Sequence, residues 1–203
     1  MGESDSVTSL LRVVDSTLAL TDAGRTVMSL DLAVDASAED WSNALERLAS
    51  SAPGGSWTTT AVEPCGGLVA LGADGVPVRP PILPNDERAV PDSGWCLKKF
   101  DAEWWTTHTG GMPTPERTVC KLSWLHRSEA DAWSSMARVC TVSDWLRWLV
   151  SGAAPNLDRL ATDAVSASHT GLWSPTEMRY SEQACRLIDA ELDWSNLLPS
   201  LRD

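Results

Sequence analysis

Ser166 and His169 stand three residues apart in the run Asp163-Ala164-Val165-Ser166-Ala167-Ser168-His169. Histidine is the side chain best suited to titrate near neutrality, and a serine beside such a base is a potential nucleophile. No Gly-x-Ser-x-Gly elbow surrounds Ser166, so a serine-hydrolase reading has little behind it. Cys65 is followed by Gly66 and Gly67 and has no basic neighbour, which favours an inert thiol over a reactive one. Asn85, Asp86 and Arg88 follow a proline-rich stretch. They either contact a polar ligand or form a turn in which Asp86 caps the next helix. Lys121 pairs with a carboxylate or lies at the surface. Trp104 and Trp105 are adjacent, so their side chains leave the backbone in different directions. Either one lies at the surface, as an interface anchor or a ligand-stacking ring, or both pack under a loop.

The elements that must position these groups are an α/β set. Ser9 to Val14 reads as a strand, and Ser16 to Leu32 as a hairpin about Asp22-Ala23-Gly24-Arg25. Ser37 to Asp40 opens a helix whose buried stripe is Trp41, Ala44, Leu45 and Leu48, and Pro53 to Ser56 ends it. Leu68 to Leu71 and Val76 to Val78 flank Gly72-Ala73-Asp74-Gly75 as a second hairpin. Pro77, Pro80, Pro81 and Pro84 make the next stretch extended. Asp101 to Pro115 reads as loop. Helices are expected over Val119 to His126 and Glu129 to Arg138, and a strand over Val139 to Val142. Ser143-Asp144 is expected to cap a short helix, and Ser181 to Glu191 reads as the last one.

The bulk chemistry excludes several classes. A net charge of -12 argues against nucleic acid and anionic membrane surfaces as partners. No apolar run is long enough to cross a bilayer, and the acidic start Met1-Gly2-Glu3-Ser4-Asp5 lacks a signal-peptide pattern. The expected location is the bacterial cytoplasm. The 5 cysteines lack the paired spacing of a zinc site, so no metal and no cofactor are expected. The 11 tryptophans against one Tyr and one Phe must fill core or line a pocket or interface.

The order of several short motifs resembles the N-terminal half of xylulokinases in the FGGY family of carbohydrate kinases. Ala161-Thr162-Asp163 through Trp173 is similar to the family's A-T-D-x-S-D-A-S-G-T-x-x-W. Gly67 to Leu71 and Pro81 to Arg88 resemble G-L-V-x-L and R-P-A-I-L-W-N-D-x-R. Asp40 to Leu45 resembles D-x-W-W-x-A-L, Lys121 to Leu125 resembles K-L-x-W-L, and Asp144-Trp145-Leu146 stands where the family has D-Y-L. The resemblance implies one actin-like, ribonuclease-H-like domain over residues 1–203, with 1–8 disordered.

The departures imply lost chemistry. The family's catalytic-base Asp is Ser166, and a serine hydroxyl stays protonated at neutral pH without a partner base. The phosphate-approaching D-x-G-T turn is replaced by Asp15 to Asp22, without glycine. The sugar-contacting His of Q-M-H-G is Gly66, and the Trp of W-N-D-x-R is Pro84. The chain is expected to lack the family's second domain. Phosphoryl transfer is almost entirely positioning and charge stabilisation, so the resemblance implies a non-catalytic pseudokinase that binds a small molecule, regulates, or serves a partner. A small enzyme using the former sugar cleft for other chemistry is the alternative. The ligand-pocket candidates are Cys65, Gly66, Asn85, Asp86, Arg88, Asp163, Ser166 and His169. A homodimer or a complex with a protein partner is expected through Trp104 or Trp105.

Overall fold

A computed structural model describes residues 9–52, 57 and 60–202. The expectations for residues 1–8 and for Pro53 to Ser56 lie outside the described residues. Strands β1 (Ser9–Val14), β2 (Thr17–Asp22) and β3 (Arg25–Asp31) form an antiparallel meander. Ala23 and Gly24 both have positive φ, 45° and 78°, which is what a two-residue hairpin turn between right-twisted strands needs. Leu11, Leu18 and Leu20 alternate with outward residues and are buried. Helix α1 (Ala38–Ser51) covers this sheet with Trp41, Ala44, Leu45 and Leu48 inward. A capping box starts it: Asp40 N donates to Ser37 Oγ at 3.2 Å, and Ser37 N donates to Asp40 Oδ2 at 2.8 Å. Strand β4 (Thr60–Val62) returns parallel to β1, giving the order β3-β2-β1-β4.

Strand β5 (Val69–Leu71) pairs antiparallel with β6 (Arg138–Cys140). Of the second expected hairpin, the turn forms but the returning arm makes a single bridge, Leu71–Pro77, flanked by bonds from Gly72 N to Val76 O at 2.8 Å and from Val78 N to Ala70 O at 2.9 Å. Helices α2 (Val90–Lys99) and α3 (Ala102–Thr109) follow, the second inside the segment expected to be loop. Pro91 is tolerated in the first turn of α2, where its missing N–H has no partner to lose. Asp101 caps α3, accepting from Trp104 N at 2.8 Å, and Gly110 ends it at φ 71°. The glycines and prolines that suggested loop lie just beyond that end.

Helices α4 (Thr118–Ser128) and α5 (Ala130–Ser135) precede β6, so Arg138 belongs to the strand rather than to the expected helix. Val142 already lies in α6 (Val142–Val150). Its cap is Thr141, whose Oγ1 accepts from Asp144 N at 3.1 Å, not Ser143-Asp144. The remaining elements are β7 (Ala161–Thr162), α7 (Ala164–Ser168), β8 (Trp173–Ser174), β9 (Arg179–Tyr180), α8 (Glu182–Ile188), α9 (Trp194–Leu197) and β10 (Ser200–Leu201). Helix α8 stops at Ile188, short of the expected Glu191, and β10 pairs parallel with β7.

Two apolar clusters meet at β5, where the pleat sorts a continuous hydrophobic run. Val69 and Leu71 face the sheet-and-α1 cluster, while Leu68 and Ala70 face the cluster under α2, α3, α4 and α8. The tryptophans serve mainly as core: Trp41, Trp105, Trp145, Trp148, Trp173 and Trp194 are buried, and none of the others is exposed. Buried indoles need acceptors. Trp105 Nε1 donates to Cys96 O at 3.2 Å and Trp148 Nε1 to Asn156 O at 2.9 Å. Among the described residues no helix is long and apolar enough to cross a membrane.

Candidate functional site

A cleft of about 480 Å3 opens where the Pro64-to-Gly67 segment meets the start of α4 and the end of α7. Cys65, Gly66, Pro84, Glu116, Arg117 and His169 are among its walls. Its floor is a close approach of two backbones. Gly67 N donates to Glu116 O at 3.0 Å, and Thr118 Oγ1 donates to Gly67 O at 2.7 Å. A Cβ on Gly66 would stand 2.6 Å from Glu116 O, so the position takes no side chain unless the backbone moves.

Three of the expected pocket residues, Cys65, Gly66 and His169, share this cleft. Burial pushes the Cys65 thiol up to about 12, against hydrogen bonds from Ser143, so it is inert at neutral pH. Burial, and then the charge of Arg117, hold the His169 imidazole below its usual range. His169 is therefore neutral at pH 7, with a half-buried ring.

The other expected residues form two separate knots. Asp86 caps the 3₁₀ turn Glu87–Ala89 and pairs with Arg88 at 2.7 Å. Burial works to raise the Asp86 carboxyl, but the bonds and charge of Arg88, with Lys121 nearby, bring it below the ordinary range. The Arg88 guanidinium lies 4.8 Å from the Trp124 ring centroid. Lys121 is neither at the surface nor paired with a carboxylate. It is fully buried and donates from Nζ to the Asp86 backbone carbonyl at 2.9 Å. Burial lowers it to about 8. Asn85 is exposed, and none of Asn85, Asp86 or Arg88 walls the cleft.

Asp163 and Ser166 join a network around Arg147. Asp163 Oδ1 accepts from Ser166 N at 2.8 Å as the cap of α7. Arg147 donates to Ser166 Oγ at 3.1 Å and pairs with Asp144 at 2.8 Å and Asp163 at 3.3 Å. Asp144 also accepts from Thr141 Oγ1 at 2.8 Å and Thr162 Oγ1 at 2.9 Å. Ser166 is fully buried and does not wall the cleft. The Ser166–His169 link is a backbone bond, His169 N to Ser166 O at 3.1 Å, so no serine–imidazole pair is formed by it.

The sequence of the FGGY family of carbohydrate kinases, N-terminal domain, matches residues 64–203 of this chain. The chain belongs to that family. Xylulose kinases of Streptomyces rubiginosus and Streptomyces coelicolor are each 33% identical over 118 residues, 58% of this chain and 23% of theirs. The fold is similar to that of xylulose kinase from Bifidobacterium adolescentis, with a TM-score of 0.79 at 19% identity over 97% of this chain and 47% of that one. Gluconate kinase from Lactobacillus acidophilus gives 0.74 at 16% identity, over 96% and 42%. The chain thus spans about half the length of these solved proteins, and its fold is that of the actin-like N-terminal domain of sugar kinases.

Within that FGGY fold, the turn after β1 is Asp15-Ser16, closed by the Val14–Thr17 pair, with Asp15 at φ 54°. Trp105 is fully buried in its own chain and so drops out as an interface contact. Trp104 is half-buried, stacked on Phe100 at 3.9 Å and on His108 at 4.5 Å. The main residues missed in the sequence are Glu116 and Arg117. They lie between a segment read as loop and the start of a helix, where no periodicity marks them.

Proposed function

We propose that this FGGY domain is a non-catalytic, xylulokinase-like pseudokinase that binds a small molecule in the cleft beside Gly66. The carrying observation is Ser166. At the position where the family motif has its base, the side chain is a buried hydroxyl bonded to Arg147, turned into a structural network and away from the cleft wall. A serine in that setting accepts no proton from a sugar hydroxyl. The glycine-free turn at Asp15-Ser16 and the side-chain-free floor at Gly66 support the same reading. A coupled assay with xylulose and ATP tests it. No turnover is expected, and turnover that Ser166→Ala abolishes would overturn the reading.

One observation favours a second reading, a repurposed enzyme. Glu116 and the neutral His169 wall the same cleft, and such a pair could move protons. Association with a second copy or another protein through Trp104 also belongs to the proposal. A monomer at high micromolar concentration in light scattering, with no partner recovered from cells, would remove it.

A further inference from the structure

Arg117 is built into the cleft wall, with no ion-pair partner among the described residues. It occupies the N-cap position of α4, the positive end of the helix dipole, where a cation is disfavoured. Its side chain is nonetheless given a seat by two glycines. A Cβ on Gly171, at φ 69°, would stand 3.2 Å from Arg117 Cδ, and a Cβ on Gly111 would collide with Arg117 Nη2. Nη1 donates to Ser168 O at 3.1 Å. That is the one hydrogen bond its side chain makes among the described residues, out of five N–H donors. No carboxylate among the described residues lies within ion-pair distance of it; its nearest acidic neighbour in sequence, Glu116, is exposed. Burial lowers the Arg117 guanidinium from its ordinary value, with Cys120 and Glu116 acting the other way.

A second cleft, of about 510 Å3 beside α2 and α4, differs in kind. Its buried carboxylate, Asp92, is already bonded by Ser123 at 2.8 Å and Arg127 at 2.9 Å. Of these two clefts, the one at Arg117 pairs a seated cation lacking an ion-pair partner among the described residues with room for a ligand.

We infer that the cleft binds a small polyhydroxylated oxyanion, a sugar-sized carboxylate or phosphate whose anionic group docks on Arg117. A planar guanidinium with free parallel donors matches either anion in a two-bond fork. The Glu116 carboxylate and Thr114 hydroxyl on the same walls supply acceptors for ligand hydroxyls and disfavour a second negative group near them. This rests on the reading of the cleft as a ligand site and names its ligand class. Its failure is separable from that of the non-catalytic reading, which kinase turnover alone would end.

The test is calorimetric titration of the whole chain with D-xylonate, D-ribose 5-phosphate and xylitol. Xylonate and xylitol share a five-carbon hydroxylated skeleton and differ in charge. At least one anion is expected to bind 10-fold or more tighter than xylitol, about 1.4 kcal/mol or more, and the stronger of the two identifies the anionic group. Arg117→Gln is expected to erase that preference, and Arg117→Lys to restore it in part. Equal binding of xylitol and both anions, or an anion preference that persists in Arg117→Gln, would overturn the inference. So would no binding of either anion at 10 mM, taken as about the weakest affinity of interest. The wild-type comparison of xylonate with xylitol needs no variant, so it holds even if Arg117→Gln fails to fold.

Discussion

Arg147 and Arg117 both reach the short segment around α7, and they meet opposite surroundings there. Arg147 is enclosed by Asp144, Asp163 and Ser166, every partner within 3.3 Å. Arg117 has one backbone carbonyl and an open cleft. The first arginine completes a structure; the second is left incomplete by it. Ser166 belongs to the completed network, while the polarity of the cleft comes from His169, inside the family motif, and from Glu116 and Arg117, outside it. A fold can therefore keep its scaffold and cleft while the groups that face the cleft are exchanged.

Removing Asp144 should give the largest effect. Its carboxylate holds Arg147 and two threonine hydroxyls, with 1% of the residue exposed. Asp144→Ala should cost about 3–5 kcal/mol in urea denaturation, because it strands a buried charge and its donors. Arg117→Gln should change stability by no more than about 1 kcal/mol, since it removes one hydrogen bond and an uncompensated charge together. Equal losses in the two variants would make Arg117 a strut and dissolve the contrast.

Lys121 sharpens the comparison as a third cation, this one fully buried and held by a carbonyl. Burial lowers its pKa to about 8, while the unfolded chain titrates it near the ordinary lysine value of 10.5. Between those values the unfolded state binds more protons, so this group's contribution to stability rises with pH. The cysteines work the other way in the same window: burial raises Cys65 and Cys185 to about 12, so their contribution falls as pH rises through the ordinary thiol range. Comparison with Lys121→Met isolates the lysine. Wild type should gain on the variant by up to about 3 kcal/mol from pH 8 to pH 10.5. A pH-independent difference would mean that Lys121 is not desolvated.

The cleft floor is the next test. Gly66→Ala places a methyl group against Glu116 O, a backbone atom that cannot rotate away. A loss of about 1–3 kcal/mol is expected, as for overpacking elsewhere. Thermal denaturation near the wild-type midpoint would show that the floor opens freely, and that a side chain could return to this position.

Much of this scaffold was legible in the sequence because local chemistry and tertiary packing agree there. The capping box at Ser37, the Trp41-to-Leu48 stripe and the Ala23-Gly24 turn each carry a short-range signal. Helix α3 was missed because its 8 residues hold adjacent tryptophans followed by four threonine or histidine residues, with weak periodicity. The strand partner of β5 was missed because pairing with β6 is a long-range choice that a nearby turn appeared to satisfy. In the site, Cys65, Gly66 and His169 stood out because the family motifs mark their positions, and those motifs also drew in Asn85, which is exposed, and Asp86 and Arg88, which hold Lys121 and Trp124. Arg117 has no such marker. Its role depends on Gly111 and Gly171, which approach it only in the folded chain.

A small effect belongs to the residue with the most conspicuous place in the family pattern. Ser166→Ala removes the Arg147 to Ser166 Oγ bond and leaves the rest of the Arg147 network in place. The two main-chain bonds of Ser166, from its N–H to Asp163 and from His169 to its carbonyl, are also kept. A hydrogen bond to a charged donor is worth about 1.5–3 kcal/mol, and the low end applies here because Arg147 keeps its other partners. The expected result is that loss, with unchanged affinity for xylonate, since the hydroxyl is not on the cleft wall. Ser166→Asp should fare worse without gaining turnover. It sets a third carboxylate beside Asp144 and Asp163, with Arg147 the cation already shared between them. Sugar phosphorylation by Ser166→Asp in the coupled assay would show that a carboxylate there still reaches the cleft, and would return Ser166 from the closed network to the open site.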